Sequence, residues 1–149
     1  MVEVRLTVPA SIEDVFAVLA DGWSYAGWVV GASHIRRVDQ DWPALGSRIH
    51  HSVGPWPLVI SDTTAVRVVE PPYILELDAR AWPIGAAVVR LDLREVGPAT
   101  TEVVMGERAT RGPGRFLPHV LQTLLLTPRN RESLDRLSDI AVGKSRARG

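Results

Sequence analysis

The stretch VEVRLTVPASIEDVFAVL, residues 2–19, changes its apolar period once, at Pro9. Before Pro9, apolar side chains alternate with polar ones, which is the period of a strand with one buried face. After Pro9, Ser11 and Asp14 stand at the spacing of a helix cap, and apolar residues then recur every three or four positions. The stretch therefore predicts a strand that passes directly into an amphipathic helix.

Beyond this unit, the chain changes from helix signals to strand signals. Residues 22–31 combine three glycines with three aromatics and predict a short second helix or a compact loop. From about residue 32 to 112, apolar runs are separated by segments that contain proline, which borders or ends strands. Because the links between consecutive strands are short, we expect an antiparallel meander. The predicted strands cover residues 32–39, 46–54, 58–69, 73–81, 85–95 and 101–110.

The C-terminal segment returns to helical spacing between Phe116 and Ile140. Pro128 interrupts it, and a proline inside a helix removes a hydrogen bond. We therefore expect either a kink at Pro128 or a second helix that begins there with Thr127 as its cap. The basic residues 144–149 are expected to form a flexible tail.

The order of strand, helix, short helix, six strands and long helix predicts a single α+β domain over residues 1–143. A sheet of seven antiparallel strands is strongly twisted, so we expect it to curve around the long C-terminal helix. The concave space between the sheet and this helix is predicted to hold a small, mainly apolar ligand.

Composition excludes several classes of site. The chain has no cysteine, which rules out disulfides, thiol catalysis and thiolate metal sites, and a cytoplasmic location is the simplest expectation. Lys plus Arg equals Asp plus Glu at 17 each, so no general attraction to nucleic acid or to an anionic membrane is expected. No stretch approaches the roughly 20 apolar residues of a membrane span, and no signal peptide is predicted. We expect a monomer or a homodimer.

Five local motifs, taken in order, resemble those of a known superfamily. They span nearly the whole chain, and they are Val8–Leu19, Asp21–Trp28, Val69–Leu77, Thr101–Glu107 and Arg129–Leu137. Their order resembles the helix-grip fold of START-like (SRPBCC) proteins, and in particular the polyketide cyclase/dehydrase-like family. The resemblance implies this fold and a cavity for a lipid-, sterol-, hormone- or polyketide-like molecule. It implies no catalytic residue, because the superfamily has no shared catalytic signature.

Alternation along the predicted strands assigns polar side chains to the cavity face. In the strand 46–54, His51 shares the apolar face and His50 lies on the opposite one. By the same rule Asp62 and Glu107 point inward. A histidine with a carboxylate could supply general acid–base catalysis, or the two groups could simply satisfy each other's hydrogen bonds.

The candidate site combines these groups with inward apolar residues and with aromatics near the cavity mouth. Trp23 and Trp28 could stack on a flat ligand or only pack beneath loops. No metal is predicted, because adjacent strand residues such as His50 and His51 point to opposite faces, and no cofactor is predicted. The catalytic candidates are His51, Asp62 and Glu107. The ligand-binding candidates are Trp23, Trp28, His51, Asp62, Thr64, Leu77, Met105, Glu107, Leu121 and Leu124.

These residues are compatible with functions of different classes. One is a binding or carrier protein for a small apolar or aromatic ligand. Another is a polyketide cyclase- or dehydratase-like enzyme that uses His51 with Asp62 or Glu107 as general acid and base. A third is a regulator that binds other proteins through the outer face of the sheet.

Overall fold

A computed structural model describes residues 1–53, 60–81 and 85–148 of the chain. The turns predicted at 54–57 and 82–83, with Trp56 and Trp82, lie outside these residues. Short 3-10 turns at Gly22–Ser24 and Pro113–Phe116 precede the second and third α-helices. In chain order the elements are β1 (Val2–Val8), α1 (Ile12–Ala20), α2 (Tyr25–Trp28), β2 (Ala32–Val38), β3 (Arg48–Val53), β4 (Ile60–Glu70), β5 (Ile74–Ala81), β6 (Gly85–Gly97), β7 (Thr100–Arg111) and α3 (His119–Arg148).

The described strands form one antiparallel sheet in the order β1-β7-β6-β5-β4-β3-β2. Strands β2 to β7 follow one another as neighbours, which is the predicted meander, and β1 pairs with β7 at one edge. Register shifts interrupt several strand pairs, for example between Val66 and Val68. Such bulges bend the strand that carries them and increase its twist. The result is the curved seven-stranded sheet that the sequence predicted.

The unit formed by β1 and α1 is the one that the opening stretch predicts. Buried and exposed side chains alternate along β1. The hydroxyl of Ser11 accepts a hydrogen bond from the Asp14 backbone N–H at 3.2 Å, so Ser11 caps α1. One face of α1, including Val15 and Leu19, is buried in the core. The sheet and α1 therefore share one hydrophobic layer.

Helix α3 packs against β1, α1 and α2. Its buried residues all follow Pro128, and they are Asn130, Ser133, Leu134, Leu137 and Ala141. This spacing of three and four is one helical face. The first half of the helix is different, because its large apolar side chains, such as Val120 and Leu124, are mostly exposed. The sheet thus holds the C-terminal part of α3.

Helix α3 is continuous at Pro128 and extends beyond residue 143. No second helix begins at Thr127, since α3 runs through Pro128 without a break. Pro128 has no N–H group to bond the backbone carbonyl of Leu124. Both residues are exposed, so water can hydrate this carbonyl. Residues 144–148, expected to be a tail, continue the helix, because Lys, Arg and Ala favour helix and the preceding turn is anchored by Ala141. None of the helices in the described residues is long and apolar enough to cross a membrane.

Candidate functional site

A cavity of about 420 Å³ lies between the sheet and the helices α2 and α3. This volume is within the range of small-molecule pockets. Apolar side chains form most of its wall, among them Trp28, Leu77, Val89 and Met105. The polar groups in the wall are few, so a ligand here would meet a mainly apolar surface with a small number of hydrogen-bonding points.

The space exists because small side chains meet across three adjacent strands. Ala79 on β5 pairs with Ala87 on β6, and Ala87 pairs with Ala109 on β7. All three alanines line the cavity. Two residues further along the strands, the larger Leu77 and Val89 form the next pair on the same face. The cavity therefore depends on three alanines that lie apart in the sequence and become neighbours only through the register of the strands.

His51, Thr64 and Tyr25 form a buried hydrogen-bonded chain. The Nε2 atom of His51 lies 2.7 Å from the Thr64 hydroxyl, which lies 3.2 Å from the Tyr25 hydroxyl. The rings of His51 and Tyr25 stack with their centroids 5.8 Å apart. Burial raises the pKa of the Tyr25 phenol, and this outweighs the opposing hydrogen bond from Thr64. The chain therefore joins a protonated phenol to the imidazole through one hydroxyl.

The His51 ring is held in its neutral form. It is 2% exposed, and burial lowers the pKa of this imidazole, while the nearby Asp62 carboxylate opposes the shift without overcoming it. Asp62 stands directly opposite His51 on β4. The Nδ1 atom of His51 is buried and makes no hydrogen bond within the described residues. His51 thus lines the cavity with one ring nitrogen bonded to Thr64 and the other without a described partner.

Glu107 and Arg129 form an ion pair between β7 and α3. A carboxylate oxygen of Glu107 accepts a hydrogen bond from Nη2 of Arg129. The Glu107 side chain is 6% exposed, whereas that of Arg129 is 39% exposed and reaches the edge of the cavity. A buried carboxylate requires such a partner. The ion pair therefore keeps the Glu107 carboxylate directed toward α3.

Asn130 is one of the polar residues of the site that reasoning from the sequence missed, together with Arg129 and Ser133. It is fully buried, borders the cavity and accepts hydrogen bonds from the Arg129 guanidinium at 3.2 and 3.3 Å. A signal for it was present, because Asn130 stands three, four and seven positions before the buried Ser133, Leu134 and Leu137. An asparagine on the buried stripe of a helix is unfavourable unless its amide is used.

Half of the predicted ligand-binding residues line the cavity, and these are Trp28, His51, Leu77, Met105 and Glu107. Thr64 is buried behind them and is bonded to His51. Trp23 is 60% exposed, and Leu121 and Leu124 lie on the exposed first half of α3. Asp62 is half-buried beside His51 but outside the lining. In the described residues, no three histidine or carboxylate side chains are grouped so as to hold a metal ion.

The fold is shared with several solved structures. The Zhui aromatase/cyclase from Streptomyces sp. R1128 matches with a TM-score of 0.74 and 18% identity, over 99% of this chain and 96% of that one. A START superfamily protein from Mycobacterium smegmatis matches with a TM-score of 0.68 and 15% identity, over 99% and 98%. This chain has the START-like helix-grip fold. No family model and no curated protein matches the sequence.

A third solved structure with a similar fold has two domains. The di-domain ARO/CYC StfQ from the steffimycin biosynthetic pathway matches with a TM-score of 0.69 and 17% identity, over 99% of this chain and 46% of that one. At this level of identity the likeness shows a common architecture, and function has to be argued from the residues of the site.

Proposed function

We propose that this START-like chain binds a small apolar or aromatic ligand in the cavity between the sheet and α3. The ligand is lipid- or polyketide-like. The observation that carries the proposal is an apolar cavity of about 420 Å³ whose lining includes His51 and Asn130, each with a buried nitrogen that has no hydrogen-bond partner in the described residues. Burying a leucine contributes about 1.5–3 kcal/mol of stability. Placing Ala79, Ala87 and Ala109 side by side forgoes such burial, and a binding cavity gives a reason for that loss.

The test is calorimetric titration with 9-fluorenone, a rigid tricyclic probe smaller than the cavity. The variant Ala87→Leu narrows the cavity and is expected to weaken binding at least tenfold. The matched control is Ala65→Leu, because Ala65 lies on the opposite face of β4 from the buried Thr64 and Val66. If the wild type binds no 9-fluorenone up to its solubility, or if both variants bind like the wild type, the proposal is wrong.

A second function, acid–base catalysis of the cyclase or dehydratase kind, is favoured by the state of His51. A neutral imidazole with a free nitrogen can remove a proton from carbon beside a ketone and return it to the leaving oxygen. The Thr64 hydroxyl, which is itself hydrogen-bonded to the Tyr25 hydroxyl, holds the other nitrogen. Asp62, opposite His51, is the carboxylate that would stabilise the imidazolium. Glu107 fits this role less well, since it is already paired with Arg129.

Turnover distinguishes this enzyme from a carrier. The substrate is 2,6-heptanedione, whose intramolecular aldol reaction and loss of water give 3-methylcyclohex-2-enone, followed by its ultraviolet absorbance. The catalytic proposal expects the wild type to form the enone and His51→Gln to stop doing so while still binding 9-fluorenone. If the wild type binds 9-fluorenone and forms no enone, the carrier function stands alone.

A further inference from the structure

The amide nitrogen of Asn130 makes no hydrogen bond within the described residues. Asn130 is fully buried in α3 and borders the cavity. Its Nδ2 atom is buried and has no hydrogen-bond partner in the part of the chain that is described. Leaving a buried donor without an acceptor costs free energy. A molecule that enters the cavity and carries an acceptor would satisfy this donor.

The chemistry of Arg129 decides which end of the Asn130 amide is free. Nε and Nη2 of Arg129 both donate to Oδ1 of Asn130, at 3.3 and 3.2 Å. A guanidinium has donors and no acceptor. Turning the amide over would place its N–H groups against those of Arg129. The orientation is therefore fixed, and the group left for a ligand is a donor.

The sheet in turn holds Arg129 in place. Glu107 on β7 accepts a hydrogen bond from the same Nη2 atom that donates to Asn130. Charge-assisted hydrogen bonds of this kind are stronger than neutral ones. Glu107 and Arg129 are thus positioning residues, which orient the Asn130 amide from one side of the cavity.

We infer that Asn130 donates a hydrogen bond to an oxygen of the ligand, so that the ligand is an apolar or aromatic molecule bearing a ketone, quinone or phenolic oxygen. The inference rests on the proposed binding function and names the class of compound that the cavity prefers. A pure hydrocarbon would fill the apolar wall and leave the amide unsatisfied. A molecule that can only donate hydrogen bonds would meet a second donor.

Three tricyclic probes of nearly the same shape isolate this contact. 9-Fluorenone carries an acceptor oxygen, fluorene carries no polar group, and carbazole carries only an N–H donor. The measured quantity is the affinity ratio of 9-fluorenone to fluorene in each protein. The variant Asn130→Asp keeps an oxygen toward Arg129 and removes the donor. The ratio is expected to fall about tenfold or more in Asn130→Asp, since one buried hydrogen bond is lost.

Asn130→Leu, of similar volume, is the second variant. It is expected to lose the preference for 9-fluorenone and to bind fluorene at least as well as the wild type. If both probes bind the wild type and the ratio is the same in all three proteins, the inference is overturned while the binding function stands. If no probe binds the wild type, the binding function fails, and the inference fails with it.

The positioning role has its own readout. The double variant Glu107→Gln/Arg129→Met removes the guanidinium without leaving a buried charge unpaired. The Asn130 amide is then free to turn over and present its oxygen. Carbazole is expected to gain affinity relative to fluorene by severalfold in this variant, and not in the wild type. An unchanged carbazole ratio would show that Arg129 does not orient the amide.

Discussion

His51 is a buried imidazole with a lowered pKa, and this gives the stability of the protein a pH dependence of definite sign. Above the ordinary histidine pKa of about 6.5, the ring is neutral in both the folded and the unfolded chain. As the pH falls below that value, the unfolded chain binds a proton that the folded chain binds less readily. Stability is therefore present above about pH 6.5 and is lost as the pH falls toward the lowered pKa of the folded state.

We predict that the free energy of unfolding falls between pH 7.5 and 5.5 and that His51→Gln reduces this fall. The part due to His51 is at most about 1.4 kcal/mol at pH 5.5. Urea denaturation at the two pH values measures it. The control is His50→Gln, because His50 lies on the opposite face of β3 and pairs with Asp39 at 3.2 Å. Equal pH dependence in wild type and His51→Gln would contradict the prediction.

At the scale of a single residue, the sequence was informative about which side a group faces. Period-two alternation placed His51 inside and His50 outside, and the structure confirms this. Alternation could not show what each group touches. The bond from His51 to Thr64 and the contact of Glu107 with Arg129 join different elements of the fold.

Helix α3 behaves as two halves of one element. Leucines occur at helical spacing along both, yet Leu124 is 66% exposed and Leu137 is fully buried. The half that follows Pro128 packs against β1, α1 and α2, whereas the half that precedes it carries its apolar side chains toward solvent. The apolar pattern of a helix shows that it has a face, and only its neighbours decide whether that face is covered.

The two halves should therefore respond differently to one substitution. Leu137→Ala is expected to lower the free energy of unfolding by about 2–5 kcal/mol, since it opens a cavity in the core. Leu124→Ala is expected to change it by less than about 0.5 kcal/mol. Both substitutions replace leucine with alanine in the same helix, so their effects on helix propensity are equal and do not contribute to the difference. The midpoints of denaturant unfolding measure both changes. A large loss of unfolding free energy for Leu124→Ala would mean that the first half of α3 is buried in solution.

At the scale of the whole molecule, the unfilled space of the cavity lowers the free energy of unfolding. Ala79, Ala87 and Ala109 occupy a row that larger side chains could fill. Fillable cavities are positions where substitutions commonly stabilise a fold and cost function. The proposed ligand site is thus also a place where the space beside the sheet is incompletely filled.

Ala87→Leu, the variant that should weaken 9-fluorenone binding, is expected to raise the free energy of unfolding by about 0.5–2 kcal/mol without ligand. The added side chain buries apolar surface in the existing space. Thermal denaturation with and without 9-fluorenone separates the two effects, because a ligand that binds only the folded state raises the Tm. Ala65→Leu should leave the free energy of unfolding without the gain seen in Ala87→Leu, and it should keep the rise in Tm that 9-fluorenone causes.

The order of the elements, the antiparallel meander and the inward faces of the strands could all be predicted from the amino-acid sequence. These follow from local periodicity, which residues 2–19 show most clearly, because backbone geometry sets a period of two in a strand and 3.6 in a helix. The tertiary structure alone decided which half of α3 is covered, how three alanines open a cavity and why Asn130 presents a donor. Each of these depends on register and contact between elements distant in the chain, and such contacts have no local pattern to read.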